Sequence, residues 1–114
     1  MVFGHKTIMV QDFPVISFMG QLIDKSQATE LMADIDKFIA EGKCKFVFDF
    51  SKLKYINSNG LGVIITLLTR ARKNGGEIAI CALNKKVQEL LLMTKLNTVF
   101  PVTKTVDRAI LKLK

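Results

Sequence analysis

Apolar residues along this chain change their spacing again and again, from every second position to every third or fourth. Alternation of strand-period and helix-period segments restricts the fold sharply. A strand, a helix and a further strand join in parallel through a right-handed crossover. Thr7 to Phe13 and Pro14 to Met19 read as two strands with a tight link around Asp12 to Pro14, and Gly20 ends the second. Ala28, Leu31, Met32, Ile35, Phe38 and Ile39 form one helical stripe, capped by Ser26 or Asp24 and stopped at Gly42. In Cys44 to Phe50, the residues Phe46, Phe48 and Phe50 alternate with Lys45, Val47 and Asp49, a strand pattern. A second helix is expected from about Asn59 to Asn74-Gly75-Gly76, then a strand from Glu77 to Leu83. Asn84 caps a third helix carrying Val87, Leu90, Leu91 and Thr94; Val99 to Val102 is a short extended piece broken by Pro101; Thr105 caps a last helix through Ile110 and Leu111. The class is therefore α/β: one mixed sheet of four to five strands with about four packed helices, its first two strands antiparallel or at an edge. The expected core is Leu31, Ile35, Phe46, Phe48, Leu61, Ile64, Ile65, Leu68, Ile78, Ile80, Leu90 and Leu91.

With 114 residues, 49% of them apolar, the chain fits one domain, expected over residues 1–114, whose core needs no covalent staple. Cys44 and Cys81 lie in apolar, strand-like surroundings and read as reduced core thiols of a cytoplasmic protein. One histidine, His5, and scattered acids leave no ligand cluster, so no metal and no cofactor are expected. The apolar run Leu61 to Ile65 is too short to cross a bilayer, and the opening MVFGHKTIMV has no secretory signal pattern. Charge is uneven: residues 1–50 balance at −2, whereas residues 51–114 carry twelve Lys/Arg against three acids, a balance of +9. A basic half of this kind is either a solvated face or a surface for an acidic partner. Direct nucleic-acid binding is not expected, since there is no Trp, only one Tyr, and no basic run with interleaved aromatics.

The stretch FDFSKLKYINSNGLGVII, residues 48–65, concentrates the chemistry. A strand ends at Asp49-Phe50, a loop is expected over Ser51 to Asn57, and Ser58-Asn59-Gly60 opens an apolar helix. A hydroxyl there sits beyond the carboxyl end of a parallel strand, where open α/β sheets place their sites. It also lies beside the free N–H groups of a helix start, which accept a phosphate readily. From the residues alone, the readier reading of Ser58 is a plain helix cap, a task open to Asn57 or Asn59 too. No G-x-S-x-G turn, nearby histidine or phosphate-binding loop accompanies it, so a binding module is expected and not an enzyme.

This stretch resembles the signature of STAS domains, the family of anti-sigma factor antagonists. That signature is an apolar strand ending in Asp, a loop with an early Ser or Thr, then Asp-Ser-Ser-Gly-Leu-Gly and an apolar helix. Here it reads Asp49, Ser51 and Asn57-Ser58-Asn59-Gly60-Leu61-Gly62. Gly20-Gln21-Leu22 and the segment Phe100 to Ile110 resemble further family features, so the likeness runs through nearly the whole chain. Asn57 stands where the family has Asp, Asn59 where it has Ser or Thr, and the loop before Asp24 is one residue longer. The resemblance implies a protein that binds an anti-sigma factor serine kinase and is switched off when that kinase phosphorylates Ser58, with a phosphatase to restore it. A monomer or weak dimer is expected. The alternative is a scaffold subunit of a signalling assembly or lipid transporter, with Ser58 as a cap. The expected partner surface comprises Asp24, Asn57, Ser58, Asn59, Gly60, Val63, Leu67 and Arg70. Its last three members fall at i, i+4 and i+7, away from the core face formed by Leu61, Ile64, Ile65 and Leu68; the equal alternative is that Val63 and Leu67 pack under a neighbouring helix.

Overall fold

A computed structural model describes residues 2–114. Strand β1 (Phe3–Val10) and strand β2 (Phe13–Leu22) form an antiparallel hairpin. Gln11 and Asp12 make its two-residue turn with φ of 50° and 69°, the left-handed pair that matches the twist of a hairpin. A 3-10 turn (Lys25–Ala28) leads into helix α1 (Thr29–Ala40). Strand β3 (Lys45–Ile56), helix α2 (Ser58–Lys73), strand β4 (Glu77–Cys81), helix α3 (Lys85–Met93), strand β5 (Val102–Thr103) and helix α4 (Val106–Leu113) follow. The sheet order is β1-β2-β3-β4-β5, parallel from β2 onward.

That order dictates where the helices go. Each crossover moves one strand further in the same direction, so right-handed connections place α1, α2 and α3 on one face. Their apolar residues meet Ile16, Phe18, Phe46, Phe48, Phe50, Ile78 and Ile80 in the main core. The Phe18 ring lies 4.8 Å from that of Phe48 and 4.9 Å from that of Phe50. α4 follows the last strand without a crossover and covers the opposite face. There Ala109, Ile110 and Leu113 pack on Val15, Val47, Ala79 and Cys81. The central strands are thus buried on both faces, as parallel strands require.

Of the expected core, Ile65 and Leu90 are only half-buried, and the other ten residues are buried. The loop expected over Ser51 to Asn57 is instead strand as far as Ile56. β2 runs on to Leu22 and pairs with it, Met19 opposite Lys52 and Leu22 opposite Ile56, across two register shifts. Polar composition suggested a loop, but the partner strand and the burial of Leu53 and Ile56 decide the matter. Among the described residues no helix is long and apolar enough to cross a membrane.

Candidate functional site

The extension of β3 carries the chain to the edge of the sheet, where α2 starts. Asn57 is the cap: its side-chain oxygen accepts the Gly60 N–H at 2.9 Å. The same side chain also donates from Nδ2 to the Ile23 carbonyl at 3.1 Å, tying α2 to the end of β2. Making both bonds at once needs an amide, because a carboxylate could accept from Gly60 but could not donate to Ile23. The departure at position 57 therefore has a structural use here.

Gly60 is buried, and a Cβ on it would press against the Leu22 carbonyl oxygen and stand 2.7 Å from Ile56 Cγ1. Its part is to let the helix start approach β2. The expectation that Gly60 touches a partner is corrected accordingly.

Ser58 is the first helical residue and not the cap, and it is exposed. Since Asn57 caps, no hydrogen bond engages the Ser58 hydroxyl among the described residues. It stands between two depressions. One, of about 480 Å³, is lined by Asp24, Lys25, Met32, Asn59, Gly62, Val63 and Thr66 as well as Ser58. The other, of about 380 Å³, lies toward α3, with Tyr55, Asn57, Lys86, Leu90 and Met93 on its walls. The structure thus gathers Asp24, Asn57, Ser58 and Asn59 at one end of the molecule. Asp24 accepts the Ser26 N–H at 3.3 Å and starts the 3-10 turn, while remaining exposed.

Leu67 does not belong to an outer surface, and Val63 shows only an edge, at the floor of the depression beside Ser58. Val63 is 3% and Leu67 0% exposed, and both lie in the main core. The reason is visible at Arg70, on the same stripe: its Nη1 donates to both carboxylate oxygens of Asp36 on α1 at 3.1 Å. This side of α2 is therefore turned toward α1. Arg70 itself reaches solvent but is engaged by Asp36. The free face of α2 carries small residues, Ser58, Asn59, Gly62, Thr66 and Thr69, up to Arg72 and Lys73 at its carboxyl end.

Sequence reasoning missed Tyr55 and Met93, which are 43% and 81% exposed beside Ser58. Tyr55 was hidden by the reading of its segment as a loop. Met93 stands off the Val87, Leu90, Leu91 stripe, which is a usable signal. His5, set aside as a metal ligand, bonds Asp34 of α1 through Nε2 at 2.8 Å. Cys44 and Cys81 are free thiols. Burial, and next the nearby Asp49 carboxylate, push the Cys81 thiol up to about 12.

This architecture and the helix start at Ser58 define a STAS domain. The model of that family matches residues 7–109, and the chain belongs to it. BtrV of Bordetella bronchiseptica, provisionally named an anti-sigma factor antagonist, is 26% identical over 86% of this chain and 84% of its own length. The anti-sigma F factor antagonist of Paenibacillus polymyxa is 29% identical over 77% of this chain and 75% of its own. In fold the chain is similar to the Bacillus cell fate determinant SpoIIAA in its phosphorylated form, with a TM-score of 0.72 at 17% identity, covering 99% of this chain and 100% of the other.

Proposed function

We infer that this protein is an anti-sigma factor antagonist of the cytoplasm, which binds an anti-sigma factor serine kinase through the amino end of α2 and is released when Ser58 is phosphorylated. The observation that carries the reading is the free, exposed Ser58 hydroxyl on the first turn of a helix that a neighbouring residue caps. Asn57 satisfies the Gly60 N–H, which leaves those of Ser58 and Asn59 without a partner among the described residues. A phosphate on Ser58 would find these two donors and the positive end of the helix dipole. Each flanking depression carries one lysine and one acid, Lys25 with Asp24 and Lys86 with Glu89, so the helix start and not the lining supplies the attraction.

A fold that tolerates the phosphate can still lose its partner because of it. The added charge is about −1.5 to −2. Around Ser58 the contact surface is small and neutral along Gly62 and Thr66, with Tyr55 and Met93 as apolar anchors. Pressing an unpaired dianion against a partner there costs several kcal/mol, and about 1.4 kcal/mol is a tenfold loss of affinity. A phosphatase resets the switch. The names of the curated relatives support the antagonist role. The fold shared with phosphorylated SpoIIAA supports a fold that survives the modification.

The test is direct. Phosphopeptide mapping of the protein isolated from its host is expected to find phosphate on Ser58. Ser58→Ala is expected to bind the co-purifying anti-sigma factor and resist phosphorylation, and Ser58→Asp to fold but bind at least tenfold more weakly. If Ser58→Asp binds like wild type and Ser58 is never phosphorylated, the switch is refuted, and the chain is a scaffold whose Ser58 is merely a surface residue.

A further inference from the structure

A second concave site lies away from Ser58, where β4 and β5 end between α3 and α4. Its volume is about 950 Å³, roughly twice that of the depression shared by Ser58 and Asp24. It opens because β4 stops at Cys81. The next residue, Ala82, is held at φ 60°, a conformation costly for a residue with a Cβ. β5 is only two residues long and leaves the ends of the ladder uncovered.

The walls are chemically divided. Leu83, Leu91 and Leu92 stand on the α3 side, and Val102 and Leu111 continue the apolar lining. Three of these are well exposed: Leu92 at 60%, Leu111 at 67% and Val102 at 39%. Lys104, Arg108 and Lys112 come from the β5–α4 side, and no acidic residue lines the cavity. Among the described residues none of these three cations makes a salt bridge, whereas Arg70 and Arg72 both do. Arg108 and Lys112 lie one helical turn apart, so their charges fall on one side of α4.

We propose that this groove is a binding site for a long-chain carboxylate, a free fatty-acid anion, with its tail on the leucine wall and its head on Arg108. A guanidinium holds a carboxylate through two parallel hydrogen bonds, and the flanking lysines add charge without demanding geometry. Size selects this occupant over a peptide. Small-molecule sites measure roughly 300–1,000 Å³, and this volume lies within that range. A helix is about 10–12 Å across with its side chains, so only one ridge of it would enter. An added strand would find only the two-residue ladder of β5. The site is independent of the reading of Ser58.

The experiment is an NMR titration of the full chain, by amide and methyl correlation spectra, with decanoate, dodecanoate and tetradecanoate below their aggregation concentrations. Shifts are expected at Ala82, Leu91, Leu92, Val102 and Leu111, with Ser58 and Val63 unmoved. Affinity is expected to rise about fourfold per added methylene. The double variant Arg108→Glu, Lys112→Glu, both residues exposed, is expected to lose at least tenfold while its spectrum stays folded. Dodecyltrimethylammonium, the cation of similar tail, is expected to bind at least tenfold more weakly than dodecanoate in wild type, a comparison that needs no variant. The proposal is overturned if the cation binds as well, if chain length has no effect, or if the shifts scatter over the surface. It is likewise overturned if an acidic amphipathic peptide binds the groove while dodecanoate does not, or if sedimentation shows a second copy of the chain already occupying it.

Discussion

Replacing Asn57 by Asp would restore the residue of the family pattern, and it is expected to destabilise this protein. As caps, Asn and Asp are nearly equivalent, so the bond to the Gly60 N–H survives the change. The bond from Nδ2 to the Ile23 carbonyl does not, because a carboxylate oxygen would then face a carbonyl oxygen across about the same 3.1 Å. Leaving a half-buried acceptor unpaired costs about 1–3 kcal/mol, toward the low end where water can enter, as it can here. The new charge at a helix start returns about 0.3–1 kcal/mol. The net loss is about 0.5 kcal/mol, or about 2–4 °C in Tm for a domain near this size. Asn57→Ala loses the cap as well and is expected to fall about 1 kcal/mol further. Urea denaturation followed by circular dichroism at pH 7 orders the three proteins as wild type, Asn57→Asp, Asn57→Ala. An Asn57→Asp protein as stable as wild type, or more so, would refute the claim that the amide ties α2 to β2.

Gly60→Ala and Gly62→Ala should move stability in opposite directions. The first meets the Leu22 carbonyl and should lose about 1–3 kcal/mol, while the second meets nothing within 4 Å and should gain up to about 1 kcal/mol of helix propensity; equal changes in urea midpoint would contradict this packing. Val63→Asp places a charge in the core and should unfold the protein instead of selectively weakening partner binding, which a soluble, cooperatively melting variant would disprove. Ile64→Ala should cost about 2–5 kcal/mol by the same measurement, with a loss below 1 kcal/mol counting against its burial. The Cys81 thiol titrates at about 12 when folded, against an ordinary 9.0. Its contribution is therefore complete below about pH 9 and is lost as pH rises toward 12, where the unfolded chain releases the proton first. Cys81→Ala should flatten the decline of stability across that window, and an unchanged slope would exclude Cys81 as its source.

Local chemistry in the sequence determined a good deal of this molecule. Asn84 and Thr105 cap the helices they were expected to cap, because capping needs only a short polar side chain and the N–H three residues on. The alternation of spacings gave the order of elements and the parallel sheet, since each period fixes which side chains share a face. Ser58 and its place at the start of α2 were legible for the same reason. The remainder depended on what lies across from a segment, which periodicity does not encode. Ser51 to Ile56 is strand because β2 runs beside it. Val63 and Leu67 are core because α1 closes over that side of α2, as the Arg70–Asp36 pair marks. Asn57 binds Ile23, 34 positions away, and the groove at Ala82 exists only because α3 and α4 cover opposite faces of the sheet. A helical stripe tells which residues leave water, but only the packed neighbours decide how many faces of that helix have to do so.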